Sequence, residues 1–588
     1  MGAAEIRAEV AALWVLAWPT YIALLCEVGM TTVAAVCLGR SGGPADLGGA
    51  YLGIALANVL ASAPIMGVAT AQGTLSAQAF GAGAPALVGL YLQRGLAVNL
   101  AISAIVAPLL LYPAPLLWLL VGAGHTGGEA DGVAGQARVV AVATTFLRSY
   151  APVLLPLSAY DALRRYLLSQ NIARPLLGSS AAGLLANIGL HWLFVLWGGG
   201  GVRGSAAALC LAQCVNVGVL LAIIRTGRLH EATWTGWTPR RAASHLRPYL
   251  ALGFPGLIQV CAEWWAMEGT LFIVARYGAV PLAAHAALMN VSFLAYLAPL
   301  AVGTAAATRV GGALGRSDAV GARRAAGVAV AAGAAAGVAT AATIWHARAV
   351  WPHLYVGGGG GSGGRDSPSG ATSEPVIAAL TTVLPVFAAF GLSDTLQAVL
   401  GGVLRGSGRQ ALGAYGNATA FWVVGLPAGA LLAARSWETG GGGAGVLRGV
   451  WLGVAAAEWV LVGGVGAVLA STDWEVQVRR AAAFVCGAQG GGGTATASPT
   501  ASTSLLGGST GGWDHPGGSG GSGAAPMPIP PAAYSPLLGA AVPGCFGEAT
   551  SLPVGGGELL EGVSPLSLPP QAITTMTVAS SSPAVYGT

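Results

Sequence analysis

The chain has 588 residues, of which 54% are hydrophobic and only 8% charged, with a formal net charge of +5. A soluble globular chain carries about a quarter charged residues, so this one cannot cover itself with a water-facing surface. The positive charge comes from scattered arginines, with no lysine and no basic block, which excludes nucleic acid as a partner.

The first apolar run starts near Val10, lacks a small-residue cleavage site and is followed by many similar runs, so it reads as a spanning helix and not as a removed leader. A helix of about 20 apolar residues crosses the hydrocarbon of a bilayer. By that measure the first half predicts spans at 11–38, 47–72, 90–112, 137–158, 176–197 and 203–225. A polar stretch from Arg225 to Arg247 follows. The second half predicts spans at 248–275, 282–307, 322–345, 376–400, 411–434 and 444–470. The fold class is therefore an all-α membrane protein of twelve transmembrane helices. Its domains are an N-terminal six-helix lobe (1–235), a C-terminal six-helix lobe (236–480) with a Gly-rich loop at 357–372, and a low-complexity, disordered tail (481–588). Arginines are in excess on the side of the termini, from Arg7 through Arg94, Arg164, Arg165 and Arg323 to Arg480, which predicts that both termini are cytoplasmic.

An internal repeat relates the halves. Leu16-Ala17-Trp18-Pro19 matches Leu252-Gly253-Phe254-Pro255 at an offset of 236, and a carboxylate, Glu27 or Glu263, stands eight residues past each proline. Ala79-Phe80-Gly81 matches Ala313-Leu314-Gly315 at 234, Pro152 and Asp161 match Pro385 and Asp394 at 233, and Asn187 with Trp192 matches Asn417 with Trp422 at 230. Offsets that drift slowly in chain order argue for duplication: two six-helix bundles related by a pseudo-twofold axis, with a cleft between them suited to a solute.

An Asp or Glu inside a spanning helix is costly and usually faces a cavity or a partner. Glu263, Glu268 and Asp394 lie in the second half, Glu27 and Asp161 in the first. Glu263 and Glu268 are five residues apart, roughly 140° around a helix, so they bracket a wide face. Trp264 and Trp265 beside them offer aromatic surfaces for a cationic solute. The competing structural reading pairs such an acid with an arginine, for example Arg309. An acid held out of water exchanges its proton near neutral pH, which provides coupling: deprotonated it binds a cation, protonated it releases one. Asn58, Gln170 and Asn187 are polar residues in spans that interhelical hydrogen bonding explains at least as well as a cavity does.

Over roughly residues 10 to 480 the chain resembles the multidrug and toxic compound extrusion (MATE) transporters of eukaryotic type. The motifs are Cys261-Ala262-Glu263-Trp264-Trp265-Ala266-Met267-Glu268, the run from Ala306 to Gly315, Gln78-Ala79-Phe80-Gly81-Ala82, Tyr91-Leu92-Gln93-Arg94, and the run from Gly401 to Gly408. The resemblance implies an antiporter that exports organic cations, drugs or secondary metabolites against protons. It assigns proton and substrate binding to Glu263, Glu268 and Asp394, with Glu27 added from the repeat, and Trp264, Trp265, Asn58 and Asn290 as cavity-lining candidates. The chain departs from the family in three places. Asp394 stands for a Glu of the animal-type tenth helix, Asn290 for a Glu of the eighth, and Thr31 for the first-helix Asp of many prokaryotic members; Glu27, one turn earlier, is the acid offered in its stead.

No GxxxxGK[ST] loop is present, so the chain alone is not ATP-driven. The reading is of a non-enzyme with no cofactor and no metal site, H+ as coupling ion and Na+ as its alternative. Its partners are a small-molecule substrate and the lipid bilayer of a plasma or vacuolar membrane, and it acts as a monomer. The rival readings are a lipid-linked sugar flippase of related fold, which would want a basic cavity, and a polytopic membrane enzyme, which would want clustered His, Asp or Cys.

Overall fold

The computed structural model describes residues 2–122, 130–350 and 370–489, all within one compact unit. Among the described residues, twelve helices are long and apolar enough to cross a bilayer: α1 (Ala3–Ser41), α2 (Ala45–Gly81), α3 (Pro85–Leu111), α4 (Gly135–Ser169), α5 (Arg174–Trp197), α6 (Gly201–Thr226), α7 (Arg247–Ala275), α8 (Val280–Gly315), α9 (Ala319–His346), α10 (Glu374–Gly406), α11 (Gln410–Glu438) and α12 (Gly442–Ala470). The chain is thus a multi-pass, all-α membrane protein, and no strand occurs among the described residues.

Several helices outrun their predicted spans, and α2 shows why. Hydropathy ends that span at residue 72, yet the helix continues to Gly81 with Thr74, Ser76 and Gln78 buried. Protein, not lipid, covers these groups. Thr74 donates to the Arg405 carbonyl at 2.7 Å, Gln410 donates to Thr74 at 2.8 Å, and Gln78 donates to the Gly406 carbonyl at 3.3 Å. Hydropathy marks the bilayer, whereas helix length follows the protein's own hydrogen bonds.

The lobes meet along α1 and α2 from the first half and α7 and α8 from the second. Where α2 crosses α8 the repeat becomes geometry. A Cβ added at Gly81 would strike the carbonyl oxygen of Gly312, and one at Gly315 would strike that of Gln78. Gln78 and Gly312 are separated by the same 234 residues as Gly81 and Gly315, so each glycine lets its helix approach the other's equivalent residue. The crossing is a pseudo-twofold contact.

Regular helix gives way in places. A π-helical turn interrupts α2 at Asn58–Ser62 and α11 at Ala418–Gly425, and another ends α5 at Trp192–Trp197. Pro152 coincides with a 3-10 turn, Ala151–Val153, in α4, as expected where proline removes a donor. Gln93 and Arg94 pin the segment between the lobes: Gln93 donates to the Gly236 carbonyl at 2.9 Å and Arg94 to the Ser244 carbonyl at 3.0 Å.

After α12 the helix Trp474–Gln489 packs on α2, α8 and α9, with Val478, Ala481 and Val485 buried. This corrects the tail boundary. Residues 481–489 have few strongly apolar neighbours in sequence, but one helical face is apolar and finds a groove. The helical segment before α10 likewise begins at Gly370, inside the predicted loop. The rest of the Gly-rich loop and everything after 489 lie outside the described residues.

Candidate functional site

Glu263 sits in the middle of α7, with Cys261, Ala262 and Ala266 buried around it. Its Oε2 accepts from Gln397 Nε2 of α10 at 2.7 Å and from Asn417 Nδ2 of α11 at 3.1 Å. The same Asn417 amide donates to the Gln259 carbonyl at 2.9 Å, one turn earlier on α7. The Tyr296 hydroxyl of α8 lies near the Glu263 carboxylate as well. Trp422, within the π-turn of α11, donates its indole N–H to the Ala262 carbonyl at 2.9 Å. The Asn417 and Trp422 pair noted in the sequence therefore ties α11 to α7 on both sides of the acid.

Two more carboxylates belong to this group. Asp394 on α10 is 7% exposed and faces Glu263. Glu458 on α12 is 1% exposed, accepts from the Ser393 hydroxyl at 2.8 Å, and faces Asp394 and Glu263. Arg405 of α10 lies close enough to act electrostatically on Glu263 and Tyr296. Among the described residues, none of the three acids is in an ion pair. A cavity with room for about one water adjoins them, lined by Gln259, Gln397, Gly401 and Asn417 with Leu404 and Leu461. Among the described residues, no three His, Cys, Asp or Glu side chains converge as a metal-holding set.

The other sequence candidates lie elsewhere. Glu268 and Asn290 of α8 both lie near the Tyr51 hydroxyl of α2, and Asn290 donates to the Ala286 carbonyl at 2.9 Å. These residues face the other lobe, apart from the Glu263 group, as the angle around the helix requires. Trp264 meets Phe293 edge-on, with ring centroids 6.3 Å apart. Trp265 donates to the Val59 carbonyl at 3.1 Å, inside the π-turn of α2, and Asn58 in that turn accepts from Ser62 at 3.3 Å. Trp265 and Val59 thus link the lobes.

Glu27 belongs to a separate group in the first lobe, with the Tyr160 hydroxyl, Asp161 and Arg164 as neighbours. There Asp161 is clamped by Arg164 at 2.8 Å and Arg165 at 3.0 Å. Arg309, the suggested partner of an intramembrane acid, instead holds Glu9 at the start of α1 with two bonds of 2.8 and 2.7 Å. The two lobes therefore treat equivalent acids differently: the first neutralises Asp161 with arginines, the second leaves Asp394 among other acids.

Sequence reasoning missed Glu458, although the signal was the one used for the rest: a lone acid, Ala457-Glu458-Trp459, in the interior of a predicted span. It fell outside the quoted motifs and was passed over.

A family profile described as MatE matches residues 19–193 and 255–431, one stretch in each half. The chain is 29% identical to multidrug and toxin extrusion protein 2 of Oryctolagus cuniculus over 72% of this chain and 66% of that protein, slightly under two thirds of its length. It is 29% identical to multidrug and toxin extrusion protein 1 of Homo sapiens, over 72% of this chain and 70% of that protein. An uncharacterized transporter of Schizosaccharomyces pombe is 30% identical over 75% of each chain. The fold matches the crystal structure of the eukaryotic MATE transporter AtDTX14, with a TM-score of 0.71 and 23% identity, covering 82% of this chain and all of that one. It also matches the Vibrio cholerae MATE transporter VcmN in its bent form, with a TM-score of 0.62 and 15% identity, covering 82% and 99%. Both halves are thus matched in sequence and in fold, and the chain belongs to the MatE family.

Proposed function

We propose that this chain is a secondary antiporter, not an enzyme, that exports organic cations or related metabolites in exchange for protons. The observation that carries the reading is the group formed by Glu263, Asp394 and Glu458: three buried acids in one membrane-embedded lobe with, among the described residues, no ion pair to neutralise them. Acids buried in one low-dielectric site cannot all remain charged, so some hold protons and release them as a cation or the opposite membrane face takes over. The relatives named as multidrug and toxin extrusion proteins support the substrate class.

In this reading Glu263 is the main exchanging group, because Gln397, Asn417 and Tyr296 reach it from three helices and sense its charge. Glu268, with Tyr51, Trp264 and Asn290, serves the substrate from the cleft between lobes, and Glu27 contributes from the first lobe. The chain works as a monomer in a plasma or vacuolar membrane with both termini in the cytoplasm. Uptake of a panel of amines, organic acids and flavonoids into proteoliposomes across an imposed pH gradient tests it. Accumulation of amines driven by the proton gradient is the expected result. Uptake that follows a Na+ gradient and ignores pH would replace the coupling ion, and no uptake of any panel member would overturn the reading.

A further inference from the structure

We propose that Glu458 is a third proton-holding acid of the second lobe's site, charge-coupled to Asp394, so that the site stores more than the single proton Glu263 exchanges. The inference rests on the proton-coupled reading above and extends it to a residue on α12, outside the motifs that marked the other acids.

The geometry is specific. Glu458 is 1% exposed, so its carboxyl has left both water and lipid. Helix α12 packs on α7, α8, α10 and α11, with α11 and α10 making the broadest contacts. From α10 come the Ser393 hydroxyl, which donates to Oε2 at 2.8 Å, and Asp394; from α7 comes Glu263; from α8 come Tyr296, near Glu263, and His285, whose ring lies tilted against that of Trp451, two turns before Glu458, with centroids 5.6 Å apart. Arg405 serves Glu263 and Tyr296. Among the described residues, Glu458 has no ion-pair partner.

One hydroxyl donor does not stabilise a full buried charge, and the nearest charged groups are acids. A proton on Glu458 removes its repulsion of Asp394, and a proton on Asp394 does the same in return. The pair therefore titrates as a unit, with the proton count belonging to the site and not to one residue. A purely structural role is better served by glutamine, which offers similar size and bonding without the charge. Acid at this position has a use only if its proton moves.

The test reads protons directly, without transport. In the full-length protein reconstituted in lipid, infrared difference spectra across a pH titration report carbonyl bands of protonated carboxyl groups. Glu458→Gln is expected to remove one titrating band and to shift the midpoint of those that remain. Glu263→Gln should remove a different band. A folded Glu458→Gln protein with unchanged bands overturns the proposal. If that variant does not fold, Ser393→Ala keeps Glu458 and deletes only its hydroxyl partner. A shift of one carboxyl band in Ser393→Ala supports the proposal and an unshifted spectrum overturns it. In proteoliposomes, Glu458→Gln should move one proton fewer per ethidium exported. Bands that respond as expected in a protein that exports nothing would sink the transport reading and leave this one standing.

Discussion

Asn417 donates its side-chain amide to Glu263 at 3.1 Å, while Asn187, its equivalent in the first half, has both side-chain amide atoms buried without a hydrogen-bond partner. The duplicated pair is used in one lobe only. In the first lobe Glu27 turns to Tyr160 and Arg164 instead. The two lobes carry matching residues but place them in different hydrogen-bond surroundings.

This asymmetry sets the first expectation. Asn417→Ala removes a hydrogen bond to a charged group, a loss of about 1.5–3 kcal/mol, and should lower pH-driven uptake about tenfold or more. Asn187→Ala removes no bond of that kind and should leave uptake within about twofold of native. Equal losses in the two variants would show that the lobes share the work.

Glu263→Gln keeps size and hydrogen bonding and removes the titrating charge. It should abolish uptake driven by a pH gradient while the protein still inserts and folds, as judged by membrane yield and monodispersity. Native rate with native pH dependence would refute the mechanism and leave the fold untouched.

Asp394→Asn and Glu268→Gln should differ in kind. Asp394 stands within the acid group, so its neutralisation should weaken coupling for every substrate. Glu268 stands at the lobe interface beside Tyr51, so Glu268→Gln should change the ranking of substrates more than the pH profile. Substrate competition curves at two pH values separate these outcomes, and identical profiles for the two variants would merge the sites that the structure holds apart.

Twelve spans, the repeat and the acid at Glu263 were legible because each writes itself along the chain: apolar length, matching strings, a charge where none is cheap. What sequence could not give was direction. Glu263 and Glu268 sit on one helix, yet one faces α10 and α11 and the other faces α2, and only packing decides which. Trp265, a cavity-lining candidate from sequence, also bonds the Val59 carbonyl within a π-turn, and no local signal announces that turn. Arg309 was a plausible partner for a buried acid, but its partner is Glu9, 300 residues earlier.

The topology expectation is that both ends lie on one face. Glu5 and Glu9 of α1 bond Arg324 of α9 and Arg309 of α8, and the helix Trp474–Gln489 packs on α8 and α9 near the same end. Cysteines placed at the exposed positions Gly2 and Glu475 should be labelled by an impermeant reagent added outside only after the membrane is permeabilised. Labelling of the two positions from opposite faces would break the even-span arrangement.

The last prediction concerns the pair that closes this end of the lobe interface. Arg309 grips Glu9 with two parallel bonds of 2.8 and 2.7 Å, and both side chains are largely shielded, at 21% and 12% exposure. Bidentate arginine–carboxylate pairs of this kind are stronger than single contacts and hold a defined orientation. Because α1 and α8 belong to different lobes, the pair stabilises whichever state brings these ends together and is absent from any state that parts them. Arg309→Ala should therefore cost that state about 1–3 kcal/mol and shift the population toward the open end. A spin-label or fluorophore pair placed on the exposed faces of α1 and α8 should read a longer mean distance, and proton-driven uptake should fall as the closed state becomes scarce. Exchanging the charges, Glu9→Arg with Arg309→Glu, should restore much of the distance and rate. If the exchanged pair behaves like Arg309→Ala, the contact matters through local packing and not as a latch between lobes.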